Sequence, residues 1–290
     1  MNILVFGKTG QVARELQAYA QVTALDRDQA NLNDPAGCAA VIASQTPAIV
    51  INAAAYTGVD AAESDHVQAE LVNSQAPKAI AQACAAFGIP LIHISTDYVF
   101  PGGGERPWKP SDATGPLGVY GATKLAGEEA VRAAGGPHVI LRTSWVFSAH
   151  GRNFVKTMLQ LSETRDALNV VSDQIGGPTP AAAIASACIE IADQLRMDPH
   201  RSGTYHFAGA PNISWCAFAQ EIFARARRDV TVTGIPSSEY QMVAVRPLNS
   251  RLDCSTTTKS FGIDRPDWLT GLDRVLEDLG LASQTRPEVT

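Results

Sequence analysis

Short runs of residues that are apolar all along, separated by longer helical patterns, govern what the first half of this chain can fold into. The runs lie at 2–6, 22–25, 48–54, 91–95 and 139–142, and the helical patterns at 11–20, 36–44, 75–87 and 119–134. Strands that are continuously apolar, rather than alternating, are buried on both faces. Strands that alternate with helices make right-handed βαβ crossovers and hence a parallel sheet. The expected class is therefore α/β, with a doubly wound parallel sheet. In such a sheet ligands bind beyond the carboxyl ends of the strands, so the loops after Phe6, Leu25, Ala54, Ser95 and Thr143 are expected to share one rim.

The second half is less regular. Helical patterns at 153–162, 180–194, 214–227 and 267–279 are mixed with short β-like runs at 168–171, 204–208 and 230–235. This predicts a smaller C-terminal α+β lobe. A chain of 290 residues suits two modest units at about 150 residues each. We place the division at 145, giving a 1–145 α/β domain and a 146–290 lobe, with a strand near 203–209 as a candidate to return to the main sheet.

Charge removes one class of partner. With 23 basic and 29 acidic residues, net −6, there is no cationic excess to replace phosphate counterions, so no nucleic acid is expected. The longest apolar run is far below the roughly 18 residues of a membrane helix, so no membrane partner is expected. Met1-Asn2-Ile3-Leu4 lacks a basic start and leads straight into a strand, so no secretory leader is expected. Five scattered cysteines without a CxxC pair fit buried small hydrophobes in a cytoplasmic protein. The histidines lack metal-ligand spacing, and no metal is expected.

Gly7-Lys8-Thr9-Gly10-Gln11-Val12-Ala13 follows the first strand and opens the first helix. Glycines here allow a tight turn and let backbone N–H groups approach a pyrophosphate, while a small third residue lets helix and strand pack closely. An ordinary βα turn can carry such glycines too. Context favours the ligand reading and a Rossmann-type domain, because Asp26 ends the second strand, where a carboxylate can accept from a ribose hydroxyl. Arg27 follows at once and suits a 2′-phosphate, so NADPH and NADH both remain open.

Tyr120 and Lys124 stand at i and i+4, on one face of a helix. An ammonium beside a phenol is expected to lower the phenol's pKa and ready it for proton transfer at a carbonyl or alcohol. Ser95-Thr96-Asp97-Tyr98-Val99-Phe100 ends the fourth strand, on the expected rim, with two hydroxyls and a carboxylate. Turn capping is the plainer use of such residues.

Several strings together resemble a known group. The glycine turn, Val50-Ile51-Asn52-Ala53-Ala54-Ala55, the Ser95–Phe100 string, Tyr120-Gly121-Ala122-Thr123-Lys124, Arg142-Thr143-Ser144-Trp145 and Arg246-Pro247-Leu248-Asn249-Ser250-Arg251 resemble the dTDP-4-dehydrorhamnose reductase family of the extended short-chain dehydrogenase/reductase superfamily. The resemblance implies NAD(P)H-dependent reduction of the 4-keto group of a dTDP-linked 6-deoxy sugar. It implies Tyr120 as proton donor, Lys124 as its neighbour and ribose ligand, and Thr96 as hydrogen-bond partner of phenol and substrate. It implies cofactor contacts at Gly7, Gly10, Gln11, Val12, Asp26, Asn31, Leu32, Ala53, Ala54 and Ala55, and substrate contacts at Asp97, Trp145, Arg246 and Arg251. The arginines could hold a pyrophosphate by forked hydrogen bonds; on residue type alone they fit surface ion pairs equally well. Glu15 matches a position that binds Mg²⁺ at a dimer contact in some members, but 181–183 is alanine where a second carboxylate is expected. Monomer and homodimer both remain open. Two other functions share the scaffold: a nucleotide-sugar epimerase or dehydratase, and a non-catalytic regulatory subunit like that of methionine adenosyltransferase.

Overall fold

Continuous burial is found in the first and third strands, whereas the edge strand at 22–25 is partly exposed and not buried on both faces as its apolar run suggested. A computed structural model describes residues 2–281. In it β1 (Ile3–Phe6) is buried at every position. It is followed by α1 (Gln11–Leu16), β2 (Val22–Leu25), α2 (Pro35–Gln45) and β3 (Ile49–Asn52), the last again buried throughout. Two short helices the sequence pattern did not signal come next, α3 (Val59–Ala62) and α4 (His66–Glu70), then a π-turn over Leu71–Gln75 and the helix expected at 75–87, α5 (Ala76–Ala86). Then β4 (Leu91–Thr96), α6 (Val119–Ala133) and β5 (His138–Thr143) complete the first half.

These strands form one parallel sheet in the order Gly203–His206, β5, β4, β3, β1, β2. The expected doubly wound α/β sheet is present, and the strand near 203–209 does return to it, beside β5. The chain reverses its winding between β1 and β3. That switch point is where a crevice opens at the carboxyl ends of an open α/β sheet.

Each face of the sheet has its own core because successive strand residues point to opposite sides. Ile3, Val5, Ile49, Ile51, Ile92, Val139 and Leu141 pack with α1 and with α8 (Ala181–Met197), after α7 (Phe154–Leu161). Leu4, Phe6, Val50, Leu91 and Ile140 pack with residues of α2, α5 and α6. Thus α8, from the C-terminal half, covers the N-terminal sheet. Its alanines at 181, 185 and 192 are wholly or almost wholly buried and allow close helix–sheet packing; of the stretch read for a missing carboxylate, Ala181 shares in this, while Ala182 and Ala183 are half-buried.

The first helix stops at Leu16, short of the expected 20. The N–H groups of Ala18 and Tyr19 bond back three residues, to Glu15 and Leu16, which tightens the chain into the turn before β2. The rest of the C-terminal half is a separate cluster. Here α7, α9 (Trp215–Ala226) and α11 (Trp268–Asp278) pack with the paired strands Ala167–Val171 and Thr231–Ile235. The helix α10 (Ser255–Phe261) leads back to the sheet, where Phe261 joins its core. All five cysteines are buried as free thiols. Among the described residues no helix is long and apolar enough to cross a membrane.

Candidate active site

The glycine turn lies at the switch point. Gly7 has φ +100°, a conformation a side chain strains, and a Cβ on it would come within 3.3 Å of the Ala54 Cβ. Glycine at 7 and alanines at 53 and 54 therefore let two loops approach and leave a cradle that larger residues would fill. At Gly10 the first turn of α1 has no side-chain cap, so its N–H groups are available to an anion. Ala13, the small residue, is fully buried beneath the turn. Lys8 reaches Asp26 at 3.1 Å and, with backbone N–H groups of Gln29 and Asp28, holds its carboxyl below the usual range. This surface pair sets a cation and an anion side by side where a ribose hydroxyl or a phosphate would lie. These features fit a dinucleotide.

Not every residue of this set presents its side chain to the rim. Gln11 turns towards the C-terminal half, where its Oε1 accepts from Ser148 and Asn153, each at 2.9 Å. Val12 is buried in the core of the α1 face. Leu32 is buried in the core of the other face. Asn31 folds its carboxamide onto the Asn33 N–H, closing a local turn at 3.0 Å. At Val12 and Leu32 only the backbone is left to meet a ligand, whereas Asn31 is exposed and its carboxamide NH₂ still faces outward.

At the end of β4, alternation separates the two hydroxyls. Ser95 points under the sheet's rim and donates to Glu128 at 2.6 Å. Thr96 accepts from the Tyr98 N–H at 3.2 Å and donates to Asp97 Oδ1 at 3.1 Å. Burial pushes the Asp97 carboxyl up to about 6, against the pull of the Ser250 and Thr96 hydroxyls. Its Oδ2 is buried with no hydrogen-bond partner among the described residues, which marks a place for a ligand hydroxyl.

Tyr120 is the second residue of α6. Its phenol lies within hydrogen-bonding reach of Thr96 and its ring meets Tyr98 edge-on, centroids 5.4 Å apart. The helix start is fixed by Glu63, which accepts from the Val119 N–H at 2.8 Å. Gly121 is needed because a Cβ there would be only 2.3 Å from the Tyr98 carbonyl oxygen. The expected lowering of the phenol's pKa is absent. Burial pushes it up to about 12, Thr96 draws it down, and Asp97 adds to the rise. The reason is where Lys124 goes: its Nζ donates to the Ile94 carbonyl at 2.8 Å and stands 3.5 Å from His93 Nε2. Tyr120 is thus fully protonated at neutral pH, the state a proton donor needs.

Beneath Lys124, Glu128 is fully buried and holds Arg142 through bonds of 2.9 and 2.6 Å. Sequence reading missed Glu63, Asn52, His93 and Glu128. The available signals were a polar residue inside an apolar strand run, for Asn52 and His93, and the i+4 spacing from Lys124, for Glu128.

On the other side of the rim, Trp145 takes φ +51°, rare for so bulky a residue. Its ring stacks on Trp215 with centroids 3.6 Å apart. Arg246 donates to Asp60 at 2.6 Å through one nitrogen, and its Nη1 is buried without a hydrogen-bond partner among the described residues. Arg251 donates to Asn249 Oδ1 at 3.0 Å. Glu15 lies 3.7 Å from the His150 ring. Among the described residues no group of three or more His, Cys, Asp or Glu is arranged to hold a metal ion.

The burial of two imidazoles near the site has a consequence for stability. His93 is pushed well below its usual value by burial and by Lys124, and His206 to about 3 by burial and by Arg142. Below about pH 6.5 the unfolded chain binds a proton at each and the folded chain does not, which removes about 1.4 kcal/mol per histidine per pH unit. Asp97, raised to about 6, holds a proton in the folded chain that the unfolded chain has lost, and offsets one of them down to about pH 4. These groups together lower stability by about 1.4 kcal/mol per pH unit between pH 6 and 4.5. Urea unfolding at pH 6.5, 5.5 and 4.5 tests this; equal unfolding free energies at all three would contradict the neutral buried imidazoles.

Three comparisons bear on this site. The model of the RmlD substrate binding domain family matches residues 1–281. A dTDP-4-dehydrorhamnose reductase from Escherichia coli (strain K12) is 41% identical over 293 residues, covering 96% of this chain and 98% of that protein. The crystal structure of a dTDP-4-dehydrorhamnose reductase from Clostridium acetobutylicum superposes with a TM-score of 0.90 at 34% identity, covering 97% of this chain and 100% of that one. The enzyme of that name from Bacillus anthracis, crystallised with NADP, gives 0.88 at 31% identity, with 96% and 100% covered.

Proposed function

The chain belongs to the dTDP-4-dehydrorhamnose reductase family, and from that premise we propose that it reduces the 4-keto group of dTDP-4-dehydro-6-deoxy-L-mannose to give dTDP-L-rhamnose. NADPH or NADH, bound along the Gly7–Ala13 turn, supplies the hydride. The carbonyl oxygen gathers negative charge as the hydride arrives, and the Tyr120 hydroxyl gives it a proton. The phenolate left behind is stabilised by the Thr96 hydroxyl and by an ammonium at Lys124. Asp97 Oδ2 accepts from a sugar hydroxyl, the Trp145 face walls the sugar, and Arg246 and Arg251 take the diphosphate. Arg246 Nη1 is the spare donor for that purpose. Asp26 and Lys8 meet the adenosine ribose, the carboxylate suiting a free hydroxyl and the ammonium a 2′-phosphate.

One observation carries this reading. The Tyr120 phenol stands beside the turn that ends β4, its ring edge-on to Tyr98 with centroids 5.4 Å apart, two strands from the glycine turn at the sheet's switch point. The test is stoichiometric. Purified protein is given NADPH or NADH with the 4-keto dTDP-sugar, and loss of 340 nm absorbance is compared with sugar consumed. One reduced cofactor per sugar is expected. Sugar converted without net cofactor loss would mean an epimerase or dehydratase, and cofactor bound with no sugar turnover a regulatory module.

A further inference from the structure

We propose that Asn52 and His93 are positioning residues for Lys124, forming with the Ala54 N–H a hydrogen-bond chain of fixed direction that ends on the lysine nitrogen. The inference rests on the role given to Lys124 above. The chain starts where the cofactor cradle is made. The Ala54 N–H donates to Asn52 Oδ1 at 3.2 Å, which settles which end of the carboxamide faces inward. Its NH₂ is left towards His93 Nδ1, at 3.2 Å. An amide nitrogen only donates, so Nδ1 accepts, and the single proton of a neutral imidazole sits on Nε2. That N–H faces Lys124 Nζ at 3.5 Å, and Nζ in turn donates to the Ile94 carbonyl at 2.8 Å.

The far end is where the chemistry lies. An amine has a lone pair to accept the Nε2–H; an ammonium has none, and donor would meet donor. Every link is therefore satisfied with Lys124 uncharged, and one fails with it charged. Asn52 and His93 are fully buried and Lys124 almost so, so water does not relieve a mismatch. Gly127 keeps the helix down on this cluster: a Cβ there would be 2.1 Å from the Asn73 carbonyl oxygen and 3.7 Å from His93 Nε2.

Burial pushes Lys124 down to about 8, and Glu128 on the same helix pulls the other way. Glu128 is itself held by Arg142 from β5 and by Arg132. Asp97 and Tyr98, from the turn after β4, act on Tyr120 and each other. Asp60 and Glu63, before α6, are taken by Arg246 and the Val119 N–H. From α4 and α5 come exposed His66 and Lys78 and half-buried Glu70. The imidazole donor is thus the feature of the surroundings that favours the neutral amine by a direct contact. A lysine held this way gains its proton when a ligand offers it acceptors instead.

Three measurements decide the matter, two without sugar substrate. Nitrogen-15 spectra of histidine-labelled protein should show His93 as the neutral Nε2–H tautomer from pH 5.5 to 9; an Nδ1–H tautomer or a charged ring would overturn the proposal. NADPH binding near pH 8, followed by calorimetry in buffers of different ionisation enthalpy, should take up a fraction of a proton in the wild type and clearly less in His93→Leu. The basic limb of the pH–kcat profile should move up by about one unit in His93→Leu. It should return towards wild type in His93→Gln, whose amide can again accept from Asn52 and donate to Lys124. Asn52→Asp, which reverses the direction of the chain, should switch His93 to Nδ1–H and also move the limb up. Unchanged proton uptake and an unchanged profile in folded variants would sink the idea. A wild type that fails to reduce the sugar overturns the proposed reaction instead, while the tautomer and the proton uptake still judge the chain.

Discussion

Tyr120→Phe is expected to lower turnover by about 10²- to 10⁴-fold, the range a positioned general acid contributes, while NADPH binding is retained. The phenol sits against Thr96 and Tyr98, and phenylalanine keeps the ring and its edge contact while removing the transferable proton. The loss should appear in kcat more than in KM, because the proton is needed as charge develops on the sugar oxygen. Fluorescence titration with NADPH and steady-state kinetics on the same preparation separate the two. Turnover within a few-fold of wild type would remove Tyr120 as the acid. Thr96→Val should lower turnover less, since it removes a hydroxyl that steadies the phenolate rather than the proton itself.

The largest expected loss of stability lies below the site, at Arg142→Leu. Breaking a buried ion pair by removing one partner costs about 3–5 kcal/mol, and Glu128 has nowhere to go, being fully buried. Ser95 and half-exposed Arg132 would be its remaining partners. For a protein of this size that corresponds to a fall in Tm of about 5–8 °C. Burial raises the Glu128 carboxyl, but hydrogen bonds and charge from Arg142 outweigh it and hold the group below its usual value. The pair's contribution is therefore present above about pH 4.5 and lost as pH falls through the lower folded value, so wild type and variant should converge in acid. Removing both charges, as Glu128→Leu with Arg142→Leu, should cost less than Arg142→Leu alone. A single variant within about 1 kcal/mol of wild type by urea unfolding would contradict a tightly buried pair.

Where a residue's fate depends on near neighbours in the chain, it was legible. Unbroken apolar runs between helical patterns were enough for the parallel sheet, since burial on both faces is written into its central strands; β2, at the edge, is only partly buried. The Gly7–Ala13 turn was legible because tight turning demands glycine locally, and Tyr120 with Lys124 because four residues make a helical neighbour. The resemblance named the remaining site residues but not the use each side chain finds. Leu32 became core and Gln11 became a tie to Ser148 and Asn153, because a side chain next to a ligand loop also answers to what packs behind it. In the C-terminal half the runs at 168–171, 204–208 and 230–235 were legible as strands, whereas two-residue strands such as Ile175–Gly176 and Asn249–Ser250 carry too few residues for a pattern.

What the order of residues determined by itself is the sheet, its rim and the two groups of the Tyr–Lys pair, all consequences of spacing along the chain. Only the tertiary structure decided which partners those groups hold. Arg246 meets Asp60, Glu63 caps α6, and Lys124 faces His93 and Ile94 rather than drawing down Tyr120. Those pairings join residues far apart in sequence, and the proton affinities of buried groups follow from the partners and the burial that folding imposes.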